Sequence, residues 1–229
     1  MLLGALQKTT MLDFPGKVSA IVFTQGCNFL CPYCHNSGLV MCGQEALALA
    51  DVLAFLAQRK RFLEGVVITG GEPTLQDDLP SFCSVLKSIG YAVKLDTNGS
   101  KPDVLRRLLQ LDLLDYVAMD VKADPRQYPK KIFPGSLGES IIESMTILSE
   151  FQVPHEFRIP CVAPFVDADS FQGILEATQS RIPLFLQTVR LERVLEPDFF
   201  TETGRALERG EMETLKRQAD ACGRTCTIR

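Results

Sequence analysis

At 229 residues with 46% hydrophobic content, the chain is long enough to bury one sizeable core and short for two independent ones, so a single domain over 1–229 is expected. A net charge of -4 gives no broad basic surface, which argues against nucleic acid and anionic membrane as partners. The first thirteen residues carry only a brief apolar patch, broken by Gly4, Gln7 and Lys8, so neither a signal peptide nor a membrane span is expected and the cytoplasm is the expected compartment.

The predicted elements alternate strand and helix. Val18 to Thr24 is β-rich, and Glu45 to Arg59 places Leu49, Val52, Leu53 and Leu56 on one helical face. Val66 to Thr69 runs into Gly70-Gly71, and after Pro80 a helix carries Phe82, Cys83 and Leu86 to a stop at Gly90. Ala92 to Leu95 ends at Asp96-Thr97-Asn98-Gly99, and Pro102 opens the next helix. Tyr116 to Met119 ends at Asp120-Val121-Lys122 and precedes a helix over Glu139 to Phe151. Glu156 to Val162 is a fifth strand, weakened by Pro160, with a helix around Phe171, Ile174 and Leu175; Leu184 to Val189 and a helix over Gly204 to Cys222 make the sixth pair.

Six β/α units with short connections predict a parallel sheet. A closed eight-unit barrel needs about 250 residues, so the expected fold is α/β, an open partial (β/α)6 barrel. Every polar or glycine-rich motif then falls at the C-terminal end of a strand, where such folds place their chemistry.

The first of these motifs holds three cysteines, Cys27, Cys31 and Cys34, at C-x3-C-x2-C spacing. Thiolates in one short loop select zinc, copper(I) or an iron–sulfur cluster, and three ligands on a four-iron cluster leave one iron open for a chelating ligand. A structural zinc with His35 or Cys42 as fourth ligand fits less well, because such sites draw their ligands from two separated pairs. Cys83 and Cys161 read as small core residues; Cys222 and Cys226, four apart, read as core or free thiols rather than a second metal site. His155 reads as a surface residue.

The loop with Tyr33 between its last two cysteines resembles the signature of the radical S-adenosylmethionine enzymes. The resemblance extends through Thr10 to Lys17, Gly70 to Gln76, Asp96 to Gly99 and Asp120 to Ala123, and among these enzymes the chain is most similar to the activating proteins of anaerobic ribonucleoside-triphosphate reductase. It departs from them at Phe157 to Cys161, where a more β-branched strand is usual, and it lacks a ferredoxin-like cysteine insertion.

The resemblance implies that Cys27, Cys31 and Cys34 hold a [4Fe-4S] cluster. It implies that Gly70, Gly71, Glu72 and Thr74 meet the amino group of S-adenosylmethionine, and that Tyr33 packs near its adenine. Asp96, Asn98 and Asp120 are implied around its carboxylate, with a monovalent cation among them and Lys122 adding positive charge. Arg158 and Gln187 would project inward as further cofactor contacts, and a buried arginine calls for an acidic partner. No acid or base residue is implied as catalytic. The implied reaction is reductive cleavage to a 5′-deoxyadenosyl radical that takes hydrogen from a glycine of a partner glycyl radical enzyme, with flavodoxin or ferredoxin as electron donor. Two alternatives stand beside it: a radical enzyme for a small molecule, and a non-catalytic iron–sulfur or zinc module. An electron carrier would be expected to close its cluster with four cysteines.

Overall fold

The computed structural model describes residues 1–137, 139–178 and 182–229. The chain divides into two compact units, residues 1–28, 38–97 and 103–117 in the first and 29–37, 98–102 and 118–229 in the second.

The first unit opens with a strand that the apolar periodicity of the sequence does not mark. This β1, Leu3–Thr10, runs antiparallel to β2, Ser19–Thr24. Its outer half, Gln7 to Thr9, faces solvent, so it lacks the apolar alternation that marks a half-buried strand, as an edge strand should. The turn between them is held by Thr10, whose hydroxyl donates to Asp13, and by the Lys17 N–H on the Phe14 carbonyl at 3.1 Å. A one-turn helix α1, Ser37–Val40, precedes α2, Leu49–Arg59. The helix begins four residues later than the expected Glu45, because the Leu47 N–H is drawn to the Leu3 carbonyl at 2.8 Å beside β1.

The β-strand β3, Gly65–Gly70, pairs parallel with both β2 and β4, Ala92–Thr97. Between them runs α3, Leu79–Ile89, which buries Leu79, Phe82, Cys83 and Leu86 and ends where Gly90 turns left-handed at φ 95°. Helix α4, Pro102–Gln110, leads to β5, Tyr116–Asp120, which begins in the first unit. At the N-terminal ends of the strands Phe14 packs with Ile21 and Val67, flanked by Phe23, Ala92 and Tyr116. Gly65 admits that ring: a Cβ there would stand 2.8 Å from Phe14.

In the second unit the end of β5 bonds to β6, His155–Pro160, through the Val121 N–H on the Arg158 carbonyl at 2.8 Å. Helix α5, Ser140–Phe151, lies between them in the chain. The strand β6 stops at Pro160, two residues short of the expected Val162, and Val162–Ala163 forms a separate β7. His155 is buried at the start of β6 rather than exposed; its Nδ1 lies 2.7 Å from the Val153 carbonyl, its ring meets Phe157 edge-on, and burial lowers its pKa, so the fold holds it neutral.

Helix α6, Ala168–Ala177, is capped by Asp167 and followed by β8, Leu184–Gln187, parallel to β6. Then come α7, Pro197–Glu202; β9, Arg205–Ala206, antiparallel to β7; and α8, Arg209–Ala221. Helix α8 starts five residues after the expected Gly204, since β9 intervenes and Glu208 and Glu211 form the capping box. The last three residues but one were not expected to be ordered as a strand. Cys226–Ile228 forms β10, parallel to β8, with Cys226 buried, whereas Cys222, expected to extend the apolar stripe of Met212, Leu215 and Ala219, caps α8 exposed. Among the described residues no helix is long and apolar enough to cross a membrane.

Candidate functional site

In the first unit the site is built on the ends of β2, β3 and β4. Cys27 follows Gly26, whose φ of 87° turns the chain away from β2. The backbone of the Gly-Gly-Glu segment is stitched to this turn: the Gly71 N–H donates to the Thr24 carbonyl at 2.9 Å and the Glu72 N–H to the Gly26 carbonyl at 2.8 Å. Both glycines are sterically required. A Cβ would lie 2.3 Å from the Thr24 carbonyl oxygen at Gly70, which has φ 119°, and 2.0 Å from the Gly26 carbonyl oxygen at Gly71. They are therefore the floor on which the first cysteine stands, a role visible in the backbone alone.

Glu72 is only 1% exposed. Its Oε1 accepts from the Thr74 N–H at 3.1 Å, the Thr74 hydroxyl at 2.5 Å and the Thr97 hydroxyl at 2.7 Å. The carboxylate thus caps the short 3-10 turn Pro73–Leu75 and ties the end of β3 to the end of β4. Thr97 was not singled out from the sequence, although it lies inside the Asp-Thr-Asn-Gly motif; the signal was its hydroxyl beside a neighbouring strand-end carboxylate. One residue before it, Asp96 pairs with the ammonium of Lys94 from the same face of β4.

In the second unit the loop carrying Cys31, Tyr33 and Cys34 is pinned at several points. The Leu30 N–H donates to the Ile132 carbonyl at 2.8 Å, the Cys34 N–H to the Cys31 carbonyl at 2.9 Å, and the Glu196 N–H to the Pro32 carbonyl at 3.0 Å. Phe29 anchors the loop against Tyr128 and Phe133, ring centroids 5.7 and 5.5 Å away. The Tyr33 ring sits 6.0 Å from Phe165, which stacks on Phe199. His35 is engaged elsewhere, its Nε2 2.6 Å from the Arg190 carbonyl.

At the end of β5, Asp120 is held by two cations. The Arg158 Nε donates to its Oδ1 at 2.8 Å and the Lys122 ammonium to its Oδ2 at 3.1 Å. Burial acts to raise the Asp120 pKa, but the guanidinium and the ammonium outweigh it and hold the carboxyl at about 2. Burial would discharge Lys122; Asp120 reverses this and keeps it charged. The acidic partner expected for Arg158 is therefore Asp120. Gln187 ends β8 paired with Pro160, and Arg158 pairs with Phe185, so Arg158 and Gln187 stand on one face two rows apart. Asn98 uses its Oδ1 to accept the Ser100 N–H at 2.9 Å, and Gly99 at φ 74° packs so closely that a Cβ would meet the Met119 Cε at 2.1 Å. This is an Asx turn, braced by the Ser144 hydroxyl on the Gly99 carbonyl at 2.7 Å.

Among the described residues no three His, Cys, Asp or Glu side chains gather as a single ion would require, with bonds of about 2.3 Å to each sulfur. The second-unit loop nevertheless has the chemistry of a cluster cradle. Burial pushes the Cys31 thiol up to about 11, with the Lys122 charge acting against it, and raises Cys34 as well. The Tyr33 hydroxyl is buried against the Cys31 thiol, which it helps to keep from rising further. Two buried thiols held back from ionising are what a metal–sulfide group would relieve, since metal binding deprotonates thiols outright.

Residues 21–178 match the Radical SAM superfamily, and the chain belongs to that family. It is similar to a Methanocaldococcus jannaschii protein named "Putative glycyl-radical enzyme activating enzyme", 32% identical over 72% of this chain and 68% of that one. A Saccharolobus solfataricus protein named "Probable GTP 3′,8-cyclase" is 34% identical over 55% of this chain but only 41% of its own length.

Among solved structures, Streptococcus suis SuiB bound to S-adenosylmethionine superposes with a TM-score of 0.64 at 13% identity, covering 91% of this chain and 49% of that one. TYW1 with a lysine-pyruvate adduct gives 0.59 at 17% identity, covering 89% and 73%. The chain thus spans about half the length of SuiB, and these likenesses establish the fold: α/β with a parallel sheet, the partial barrel of radical S-adenosylmethionine enzymes, open rather than closed.

Proposed function

We propose that residues 1–229 act as one radical S-adenosylmethionine domain that generates a glycyl radical on a partner enzyme, an anaerobic ribonucleoside-triphosphate reductase. The observation that carries this reading is the match to the Methanocaldococcus jannaschii relative, which spans 68% of that protein at 32% identity. When bound, a [4Fe-4S] cluster and S-adenosylmethionine supply the electron and the 5′-deoxyadenosyl group that abstracts the glycine hydrogen. The chain's own residues do the holding. Cys27, Cys31 and Cys34 would ligate the cluster, and Gly70 and Gly71 fix the backbone under the first of them. Glu72 and Thr74 present the end of β3 to the amino group, while Asp96, Asn98, Asp120 and Lys122 order the strand ends around the carboxylate. Tyr33 gives the adenine an aromatic wall, and Arg158 and Gln187 extend the polar face of the second unit.

The test is direct. Reconstituted, reduced protein mixed anaerobically with the reductase and S-adenosylmethionine should give a glycine-centred EPR doublet on the reductase. Replacing the target glycine with alanine should abolish the doublet. Absence of the doublet, with brisk 5′-deoxyadenosine release in the presence of a small metabolite, would support the small-molecule reading that the cyclase match favours.

A further inference from the structure

Lys94 is a lysine in the interior of a strand. The residue is 1% exposed, its side chain 2%, and its ammonium pairs with Asp96, two positions on and on the same face, itself 11% exposed. Register places Lys94 beside Val67 of β3, with Ile21 of β2 next in the row. Its ammonium lies 5.9 Å from the Tyr116 ring centroid, a face to which a cation is also attracted. Val67, Ile21 and Tyr116 offer the ammonium no counter-charge, whereas the Asp96 carboxylate does. A charge so placed is held only by a partner, and the partner is equally held by it.

This arrangement conflicts with a monovalent cation bound at Asp96. An added ion would sit against a fixed ammonium in a medium of low dielectric, where like charges repel strongly. Asp120 is in the same condition, already neutralised by Arg158 and Lys122. The donor chemistry of both carboxylates is thus unsuited to a further cation.

We propose that Lys94 is a positioning residue that supplies, from within the chain, the positive charge a monovalent cation would otherwise bring to Asp96, so that S-adenosylmethionine binding is independent of potassium and sodium. The inference rests on the proposed reading that Asp96 faces the cofactor. A lysine also fixes geometry where an exchangeable ion would not: it is tethered to β4, so Asp96 keeps one orientation whether or not the cofactor is present.

The experiment measures S-adenosylmethionine affinity of the cluster-loaded protein by anaerobic titration, in potassium chloride and in tetramethylammonium chloride at equal ionic strength. The unmodified protein should bind equally well in both, within about twofold. The Lys94→Met variant, which keeps length and burial, should bind about tenfold more weakly in tetramethylammonium and recover to within about threefold of the unmodified protein in potassium, because Asp96, no longer paired with the Lys94 ammonium, then recruits the ion. A merely structural lysine would leave the variant equally impaired in both salts, and that result overturns the inference. So does an unmodified protein that loses about tenfold or more of its affinity when potassium is withdrawn. The second comparison needs no variant and decides the matter if Lys94→Met does not fold. A fully cluster-loaded protein that binds no S-adenosylmethionine in either salt overturns the functional reading itself, an outcome distinct from salt-dependent binding.

Discussion

Glu72 shows how one side chain can serve both the fold and the chemistry. Its Oε1 collects three donors while the residue is almost fully buried, so Glu72→Ala would strand the Thr74 and Thr97 hydroxyls and a backbone N–H. The expected loss is about 2–4 kcal/mol, read from urea unfolding of the cluster-free protein. Glu72→Gln keeps an acceptor and should recover most of that stability. If the carboxylate also meets an ammonium group, the glutamine variant should still bind S-adenosylmethionine weakly, which separates the two roles.

Asp120 makes a pH-dependent contribution whose sign is fixed by its neighbours. Its pKa is lowered to about 2 in the fold from 3.8, so the stability it provides is fully present above pH ~4 and disappears as pH falls through about 2. That contribution is roughly 2 kcal/mol. Asp120→Asn should flatten the stability profile between pH 4 and pH 2 without steepening it elsewhere, a result checked by thermal melting across that range. His155 acts at higher pH in the same direction: held neutral by burial, it opposes folding progressively as pH falls below its ordinary value of 6.5.

Much of this was legible at single positions. The three cysteines, the two glycines and the strand-end carboxylates could all be picked out from spacing. The geometric reason for Gly70 and Gly71 could not, because the atoms that exclude a side chain there belong to Thr24 and Gly26, more than forty residues earlier. Lys94 was invisible for a similar reason: a lysine between Val93 and Leu95 reads as a solvent-facing residue of an alternating strand, and only the burial of both faces of β4 shows otherwise.

At the level of elements, the stitch between the end of β3 and the turn after β2 is the most sensitive point. Gly71→Ala would push a methyl group to 2.0 Å from a carbonyl oxygen, and Gly70→Ala would add strain at φ 119° to a similar clash. Each should destabilise the fold by about 2–4 kcal/mol and reduce iron incorporation in parallel, because the displaced backbone leads directly into Cys27. Iron and labile sulfide assays against an unfolding curve would show whether the two losses track each other. Iron incorporation at the wild-type level in a destabilised Gly71→Ala protein would show that the stitch does not organise the cysteine loop.

The elements that sequence periodicity found were those with one clear apolar face, such as α3 with Phe82, Cys83 and Leu86 inward. Those it missed are short or exposed. In β1 the outer positions carry Gln7, Lys8 and Thr9, and β7 and β9 are two residues each, too brief to show a period. Pro160 marks the end of β6, although the Cys161 N–H still donates to the Gln187 carbonyl at the end of β8 at 3.0 Å.

For the whole molecule, the expected six strand–helix units are present, yet strands were added at both termini. The parallel strand β10 adds backbone bonds from the Leu184 N–H to the Thr225 carbonyl and from the Thr188 N–H to the Arg229 carbonyl, each 2.9 Å, and buries Cys226. Removing residues 225–229 should therefore lower stability by about 2–4 kcal/mol and leave β8 with an unpaired edge prone to association. Size-exclusion chromatography and thermal melting of the shortened chain would test both. A shortened chain that melts and elutes as the full one does would mean that β10 contributes nothing to the sheet. Three residues with one buried position have no period to read, so this strand is not legible from hydrophobic patterning.

The hydrogen bond from Thr97 to Glu72 joins two motifs that lie twenty-five positions apart in the chain. Their histories should consequently be coupled. Among descendants of a common ancestor, a lineage that replaced Thr97 with a residue lacking a hydroxyl would leave the carboxylate short of a donor, and selection would then favour a second change at or beside position 72. An alignment of relatives should show the two positions varying as a pair, with Thr or Ser opposite Glu and departures at one accompanied by departures at the other. Independent variation would mean that the bond binds nothing that selection sees.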